Sequence, residues 1–239
     1  MKTSRNDRHF VRPYNLFLPL WRRVVFVDWF GVLSSDLFWH SILTQESHPY
    51  YKSVASATER LFAENRELVR DWMRGRIDAS TIVRQLEVSL DRRCNDDFLL
   101  RRLMADCRRM SFRKDLLLGI RQVVPDAYLL IATDNMDCFV SEVEALSVHS
   151  SGADDILVSC QLGVLKLDSV EMFFGPWLRD HALSFRQAIL IDDNPRTCDA
   201  FRQCGGDAIL FTSVAATLAE LEFKGRPRMP EAECRPPVK

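Results

Sequence analysis

The sequence predicts an α/β fold: about five parallel strands flanked by helices, with a small all-helical domain inserted after the first strand. Three observations predict it. Short apolar runs, rich in β-branched residues and bounded by polar loops, stand at 24–27, 128–132, 155–158 and 188–191, the pattern of strands buried on both faces of a parallel sheet. From about residue 115 these runs alternate with helical segments, which implies right-handed parallel crossovers. Residues 34–110, in contrast, show helical periodicity and no convincing strand.

Taken in order, residues 1–20 read as an irregular leader. The apolar stretch from Tyr14 to Trp21 is short, broken by Pro19 and without a small-residue cleavage site, which argues against a signal peptide. Val24-Val25-Phe26-Val27 is the first strand. In the insert, Val54, Leu61, Phe62, Leu68, Val69 and Trp72 fall on one stripe at i, i+3/i+4 spacing and predict one helix over 54–72, ended by Gly75. Asp78 or Ser80 caps a second helix, whose stripe is Ile82, Val83, Leu86 and Leu90. Asn95 caps a third, with Phe98, Leu99, Leu103, Met104 and Cys107 facing inward. Amphipathic stripes must be covered, so a small bundle lying over the sheet is expected. Beyond it come helix 115–123, strand 128–132, helix 138–146, strand 155–158, helix 169–181, strand 188–191, helix 196–203 and strand 208–211, with Gly205-Gly206 as the stop signal of helix 196–203. The expected domains are an α/β core of 21–33 and 111–223, a helical cap of 34–110, and a disordered Pro-rich tail of 224–239.

The 239 residues suffice for one sizeable domain with an insertion, and 47% apolar content is ordinary for a globular chain. A formal net charge of −1 gives no basic face for nucleic acid. No apolar stretch approaches the ~20 residues of a spanning helix, so no membrane partner is expected. The seven cysteines are odd in number and form no Cys-x-x-Cys pair, which suits small buried thiols in a reducing cytoplasm. The five histidines show no zinc-ligand spacing.

Chemistry collects just beyond the carboxyl ends of strands in such sheets. Four polar tips follow the apolar runs: Asp28, Thr133, Lys166 and the pair Asp192-Asp193. Asp28, fixed behind a buried strand and followed by Gly31, suits a nucleophile, although an Asp capping the next turn has the same pattern. Thr133, with Asp134 and Asn135, offers a hydroxyl and free amides where a helix begins, which suits an anion or an ordinary N-cap. Lys166 is a lone cation, and most lone lysines are surface residues. Adjacent carboxylates at Asp192-Asp193 repel each other unless a cation lies between them; hard oxygen ligands of this kind suit Mg²⁺.

In this order, each behind its own strand, the four tips resemble the motifs of the haloacid dehalogenase-like (HAD) hydrolase superfamily, in the subclass with a helical cap after the first motif. The resemblance covers about residues 22–212. Asp28-Trp29-Phe30-Gly31-Val32-Leu33 is similar to the first motif, Thr133 to the second, Lys166 to the third and Asp192-Asp193 to the fourth. Leu162-Gly163-Val164-Leu165-Lys166-Leu167-Asp168 is similar to the family's Gly-Val-x-Lys-Pro-Asp, with Leu167 in place of proline. The resemblance implies a Rossmannoid core and a small phosphorylated substrate. Asp28 would attack phosphorus, while Lys166 and Thr133, with Asp134 and Trp29 nearby, would hold the substrate. Mg²⁺ would be bound by Asp28, the Phe30 backbone carbonyl, Asp192 and Asp193, with Asp193 the more direct of the pair.

One position departs from the family pattern. Phosphatases of the family carry a second Asp two residues after the nucleophile, which protonates the leaving group and then activates water; here that residue is Phe30. General acid–base help is typically worth ~10²–10⁴-fold. Three readings follow. The first is a Mg²⁺-dependent hydrolase or phosphotransferase whose substrate has a good leaving group (an acyl phosphate or phosphonate-type compound), or which draws its proton from His40 or another cap residue. The second is a catalytically impaired binding or regulatory protein. The third is a carbon–halogen hydrolase, a branch with an aromatic residue at this position. Trp29, Trp39, His40 and Trp72 are the candidates to face the crevice, the tryptophans also suiting the cap's own core.

Overall fold

A computed structural model describes residues 23–87, 97–143, 146 and 148–225. The expected leader and the Pro-rich segment from 226 onward lie outside the described residues.

Five strands, β1 (Val24–Val27), β2 (Tyr128–Thr133), β3 (Asp155–Val158), β4 (Ala188–Asp192) and β5 (Asp207–Leu210), form one sheet in the order β3-β2-β1-β4-β5. All four pairings are parallel, and Val27 stands opposite both Ile131 and Ile191. The continuous apolar runs have a direct cause. Val24 and Phe26 face one buried cluster and Val25 and Val27 the other, so neither side of β1 tolerates a polar residue. The chain fills the sheet in one direction from β1 to β3, then returns to the far side of β1 for β4. At this switch the connections leave β1 and β4 on opposite faces, which opens a crevice at their carboxyl ends.

One face is closed by α9 (Val170–Asp180) and α10 (Pro195–Gln203). Phe26 meets Phe174 at 4.8 Å, and Phe174 meets Phe201 at 5.0 Å between ring centroids. α6 (Lys114–Val123) and α11 (Val214–Gly225) cover the other face, packed so closely that a methyl added at Gly119 would come within 2.6 Å of Leu218 Cδ1. Sequence patterning gives no α11, and the helix takes in Lys224 and Gly225, the first two residues of the segment expected as a disordered tail.

Between β1 and α6 stand α1 (His40–Leu43), α2 (Tyr51–Glu64), α3 (Arg66–Met73), α4 (Ala79–Glu87) and α5 (Phe98–Cys107), with no strand among the described residues. The single helix expected over 54–72 is two. Asn65 leaves helical geometry at φ −103°, ψ 44°, and both its backbone and side-chain amides turn back to the Arg60 carbonyl, the local competition with helix that asparagine offers. Leu90 and Asn95, placed in the second and third helices, lie outside the described residues.

The insert shares one buried cluster with the sheet face that carries Val25 and Val27. Polar contacts fix the seam between them. Trp72 Nε1 donates to Asp137 Oδ1 at 2.7 Å, and Ser159 Oγ donates to the Met73 carbonyl at 2.6 Å. Arg74 grips Asp168 with two bonds of 2.8 and 2.9 Å, and Arg70 adds one of 3.0 Å. Arg74 accordingly holds the Asp168 carboxyl well below its ordinary range. Gly75, at φ +69°, lies so near the Cys160 carbonyl that a Cβ would stand 2.2 Å from its oxygen.

Candidate active site

The register carries Asp28 to the crevice: its amide donates to the Ile191 carbonyl at 2.9 Å, one rung beyond the last β1–β4 pair. Lys166 arrives by a longer route than the sequence suggests. β3 ends at Val158, and a single helical turn, α8 (Ser159–Leu162), intervenes before Gly163 at φ +73° releases the chain toward Lys166. The ammonium then reaches back between two carboxylates, 2.9 Å from Asp28 Oδ1 and 2.7 Å from Asp192 Oδ2. Three residues from three distant parts of the chain therefore meet through one buried lysine.

The remaining donors are aligned by backbone. Asp28 Oδ1 also accepts from the Trp29 amide at 2.7 Å, while Oδ2 receives no hydrogen bond from any described residue. Asp192 spends its other oxygen on the Asn194 amide at 2.9 Å. Asp134 accepts from the Lys166 amide at 3.0 Å and so ties the loop after β2 to the loop that carries the lysine. Thr133 is buried at the end of β2 and lines the same cavity, as do Trp29, Phe30 and Asp134.

Charge in this pocket is out of balance. Burial pushes the Asp28 carboxyl up to about 7 against the pull of the Lys166 ammonium, and Asp192 adds repulsion. Burial likewise raises Asp134 and Asp193. Burial disfavours the lysine's charge too, but Asp28, Asp192 and Asp134 outweigh it and hold Lys166 firmly protonated. One oxygen each of Asp28, Asp192 and Asp193 lies within 4.8 Å of the others, so three carboxylates face one ammonium.

A divalent cation with a taste for oxygen fits that donor set. Gly31 makes room for one of these carboxylates. The residue sits at φ +84°, and a Cβ there would stand 2.0 Å from Asp193 Oδ2. Only glycine lets the Asp193 carboxylate lie against this turn. The Phe30 carbonyl accepts no backbone bond among the described residues and is left available beside Asp28.

Above the carboxylates lies a cavity of about 690 Å³ whose upper wall comes from the helical insert. Here the sequence-based candidates divide. Trp29 lines the cavity, but Trp39 and Trp72 are fully buried within the insert, with Trp39 Nε1 donating to the Leu99 carbonyl at 2.9 Å. His40 is absent from the lining. Phe62, assigned to the inward stripe of its helix, is 39% exposed and faces the cavity instead. Leu37, Tyr51 and Met110 line the wall as well, and no sequence signal separated them from other apolar residues of the insert.

No protein-family model matches the sequence, and no curated protein matches it significantly. Solved structures do. A predicted HAD-like family hydrolase from Porphyromonas gingivalis superimposes with a TM-score of 0.61 at 16% identity, over 84% of this chain and 98% of that one. A HAD family enzyme from Bacteroides thetaiotaomicron, in complex with magnesium and inorganic phosphate, gives 0.58 at 11% identity, over 80% and 94%. The chain has the HAD-like hydrolase fold. An L-2-haloacid dehalogenase from Xanthobacter autotrophicus, with chloropropionic acid covalently bound, shares that fold with a TM-score of 0.56 at 13% identity, over 78% and 76%. Within the HAD-like fold, Asp28, Thr133, Lys166 and Asp192-Asp193 all border one crevice.

Proposed function

We propose that this protein is a Mg²⁺-dependent hydrolase or phosphotransferase that uses Asp28 as its nucleophile on a small phosphorylated compound. The observation that carries this reading is the Lys166 ammonium bridging Asp28 and Asp192 at 2.9 and 2.7 Å, with the Asp193 carboxylate laid against Gly31 beside them.

The roles follow from the hydrogen bonds. With Oδ1 of Asp28 held by Lys166 Nζ and the Trp29 amide, Oδ2 keeps its lone pairs for attack on phosphorus. An ammonium has three donors; two go to Asp28 and Asp192, and the third is left for an oxygen of the transferring group, as is the Thr133 hydroxyl. Mg²⁺, held by Asp28, Asp193 and the Phe30 carbonyl with Asp192 adjacent, would neutralise the phosphoryl charge. Attack forms the Asp28–phosphorus bond while the bond from phosphorus to the leaving oxygen breaks with its electron pair. Water then takes phosphorus from Asp28 and releases phosphate, its proton passing to solvent.

Phe30 shapes the chemistry by what it lacks. It can neither give the departing oxygen a proton nor take one from water. Leaving groups that depart as stable anions, such as the carboxylate of an acyl phosphate, suit this site, and the aspartyl phosphate should be long-lived. Halide displacement, suggested by the aromatic side chain at residue 30 and the shared fold of the dehalogenases, is less well supported. A haloacid carboxylate would enter a floor of three carboxylates that one ammonium does not neutralise.

The test is phosphate release from acetyl phosphate and other phosphorylated compounds with and without Mg²⁺. Metal-dependent release that disappears in Asp28→Asn supports the reading. Metal-independent halide release from haloacids would replace it, and saturable phosphate binding without turnover or phosphoryl-enzyme would mark a binding protein.

A further inference from the structure

We infer that the organic part of the substrate is apolar and uncharged, an inference that rests on the phosphoryl-transfer reading of the same cavity. The cavity of about 690 Å³ lies within the roughly 300–1,000 Å³ typical of small-molecule sites. A phosphoryl group at Lys166 would occupy only its floor.

The two ends of this space differ in kind. The floor holds Asp28, Thr133, Asp134, Lys166, Asp192 and Asp193. The wall contributed by the insert and by the loop beyond Lys166 is mainly apolar, with Leu37, Leu43, Phe62, Met73, Met110 and Leu167, and carries Tyr51 and Thr58 as its hydroxyls. Several of these are apolar yet open to solvent: Leu37 is 56% exposed, Phe62 39% and Leu167 40%, and Phe30 joins them at 49%. Large apolar side chains left wet around one opening mark a binding surface. Here the surface leads directly to the phosphoryl floor, so the occupant is the substrate's own body.

Charge excludes the alternatives. Among the described residues lining the cavity, Lys166 is the only cation, and it is committed to Asp28 and Asp192. The charged residues of the upper wall are Asp36 and Glu59, both acids. A second phosphate or a carboxylate on the substrate would find repulsion there and no partner. Hydroxyl-rich bodies fare little better. The Thr58 hydroxyl is turned to the Val54 and Ala55 carbonyls at 2.8 and 3.0 Å, and Asp36 accepts from the Ser111 amide and hydroxyl at 2.6 and 2.9 Å. A sugar placed here would lose water and, the Tyr51 hydroxyl apart, regain few hydrogen bonds from this wall. A cationic body would meet Asp36, whose Oδ2 already accepts two hydrogen bonds from Ser111, and Glu59, which is exposed so that water screens its charge. The residue Phe30, which removes a proton donor from the floor, adds its ring to the same apolar surface, so one residue favours both a stable leaving anion and an apolar body.

Binding separates this inference from the chemistry. Alkylphosphonates, which cannot be turned over, would be measured as competitive inhibitors of Mg²⁺-dependent acetyl phosphate hydrolysis. One buried methylene is worth about fourfold in affinity, so Ki should fall about fourfold per carbon from methyl- to butylphosphonate. The carboxylate-bearing 3-phosphonopropionate and the cationic 2-aminoethylphosphonate should bind no better than methylphosphonate. Leu37→Ser and Phe62→Ser, at exposed positions where the fold has little at stake, should flatten the series. A flat series in the native protein, or a preference for the carboxylate or the amine, with acetyl phosphate still hydrolysed, would overturn the inference alone. Absence of Mg²⁺- and Asp28-dependent turnover would instead sink the catalytic reading. The phosphonate series would then be read as thermal stabilisation with Mg²⁺ present, where the same fourfold steps support an apolar ligand and their absence refutes it.

Discussion

Replacing Phe30 by aspartate should convert a slow site into a fast one. Phe30 is 49% exposed, so a carboxylate there keeps access to water and faces little desolvation. Full burial of a phenylalanine is worth roughly 1.5–3 kcal/mol, and about half of it is lost here, which limits the destabilisation to about 1 kcal/mol. The residue stands two positions after Asp28 and lines the same cavity, where on the proposed reading a leaving oxygen would pass. Neighbouring carboxylates at Asp28, Asp192 and Asp193 would raise the pKa of the new acid, so a useful fraction stays protonated near neutrality. The gain follows from general acid–base catalysis: ~10²–10⁴-fold in turnover of alkyl monophosphates, whose leaving oxygens need a proton. Acyl phosphates, which need none, should gain chiefly in hydrolysis of the aspartyl phosphate. Phosphate release in the steady state, together with the fraction of protein trapped as phosphoryl-enzyme by acid quench, measures both. If Phe30→Asp is folded, as a melting curve would show, and neither turnover nor the trapped fraction changes, residue 30 does not face the reacting phosphorus and the assignment of Asp28 is wrong.

Three further outcomes are expected. Gly31→Ala must place an L residue at φ +84°, at a cost of roughly 1–2 kcal/mol, and must displace Asp193, so Mg²⁺ titration followed by thermal shift should show metal affinity reduced by at least an order of magnitude. The pH dependence of stability without metal should be unusual. Asp28 titrates near 7 in the folded protein against 3.8 ordinarily, so the folded state holds a proton that the unfolded chain has lost, and stability declines as pH rises from about 4 to 7. Burial raises Asp134 and Asp193 in the same direction. The stabilisation produced by Mg²⁺ should therefore be larger at pH 7.5 than at pH 5 in melting curves, and equal shifts would contradict the charge assignment. Finally, Arg74→Ala removes a fork on Asp168 from a side chain only 9% exposed, and a loss of about 1–3 kcal/mol in denaturant unfolding is expected.

The site was legible in the sequence because its strands are buried on both faces. Val24-Val25-Phe26-Val27 and Ala188-Ile189-Leu190-Ile191 cannot carry polar residues, so Asp28 and Asp192 announce where each strand ends. Gly31 was legible as a turn, but its contact with Asp193 was not, since it depends on two loops 162 positions apart meeting in space. Lys166 does lie beside Asp28, but not directly behind a strand as its sequence position suggests, because Ser159–Leu162 adds a helical turn too short to show a period. Phe62 and Leu61 are adjacent on one helix, and periodicity alone put both inside; the break at Asn65 and the cavity above Asp28 leave Leu61 buried and Phe62 wet. α11 is the plainest omission, for Val214, Thr217, Leu218 and Leu221 repeat at helical spacing and the segment contains neither proline nor internal glycine. The cavity wall had no signature at all. Leu37, Leu43 and Met110 reach it from separate parts of the insert, and nothing local distinguishes an apolar residue that covers a substrate from one that covers its neighbour.

The most direct measurement is the intact mass of the protein after incubation with acetyl phosphate and Mg²⁺, followed by peptide mapping of the quenched sample. A single added phosphoryl group on Asp28, absent without metal and absent in Asp28→Asn, is the expected result. An unmodified native protein at every time point, or the same adduct in Asp28→Asn, would contradict it.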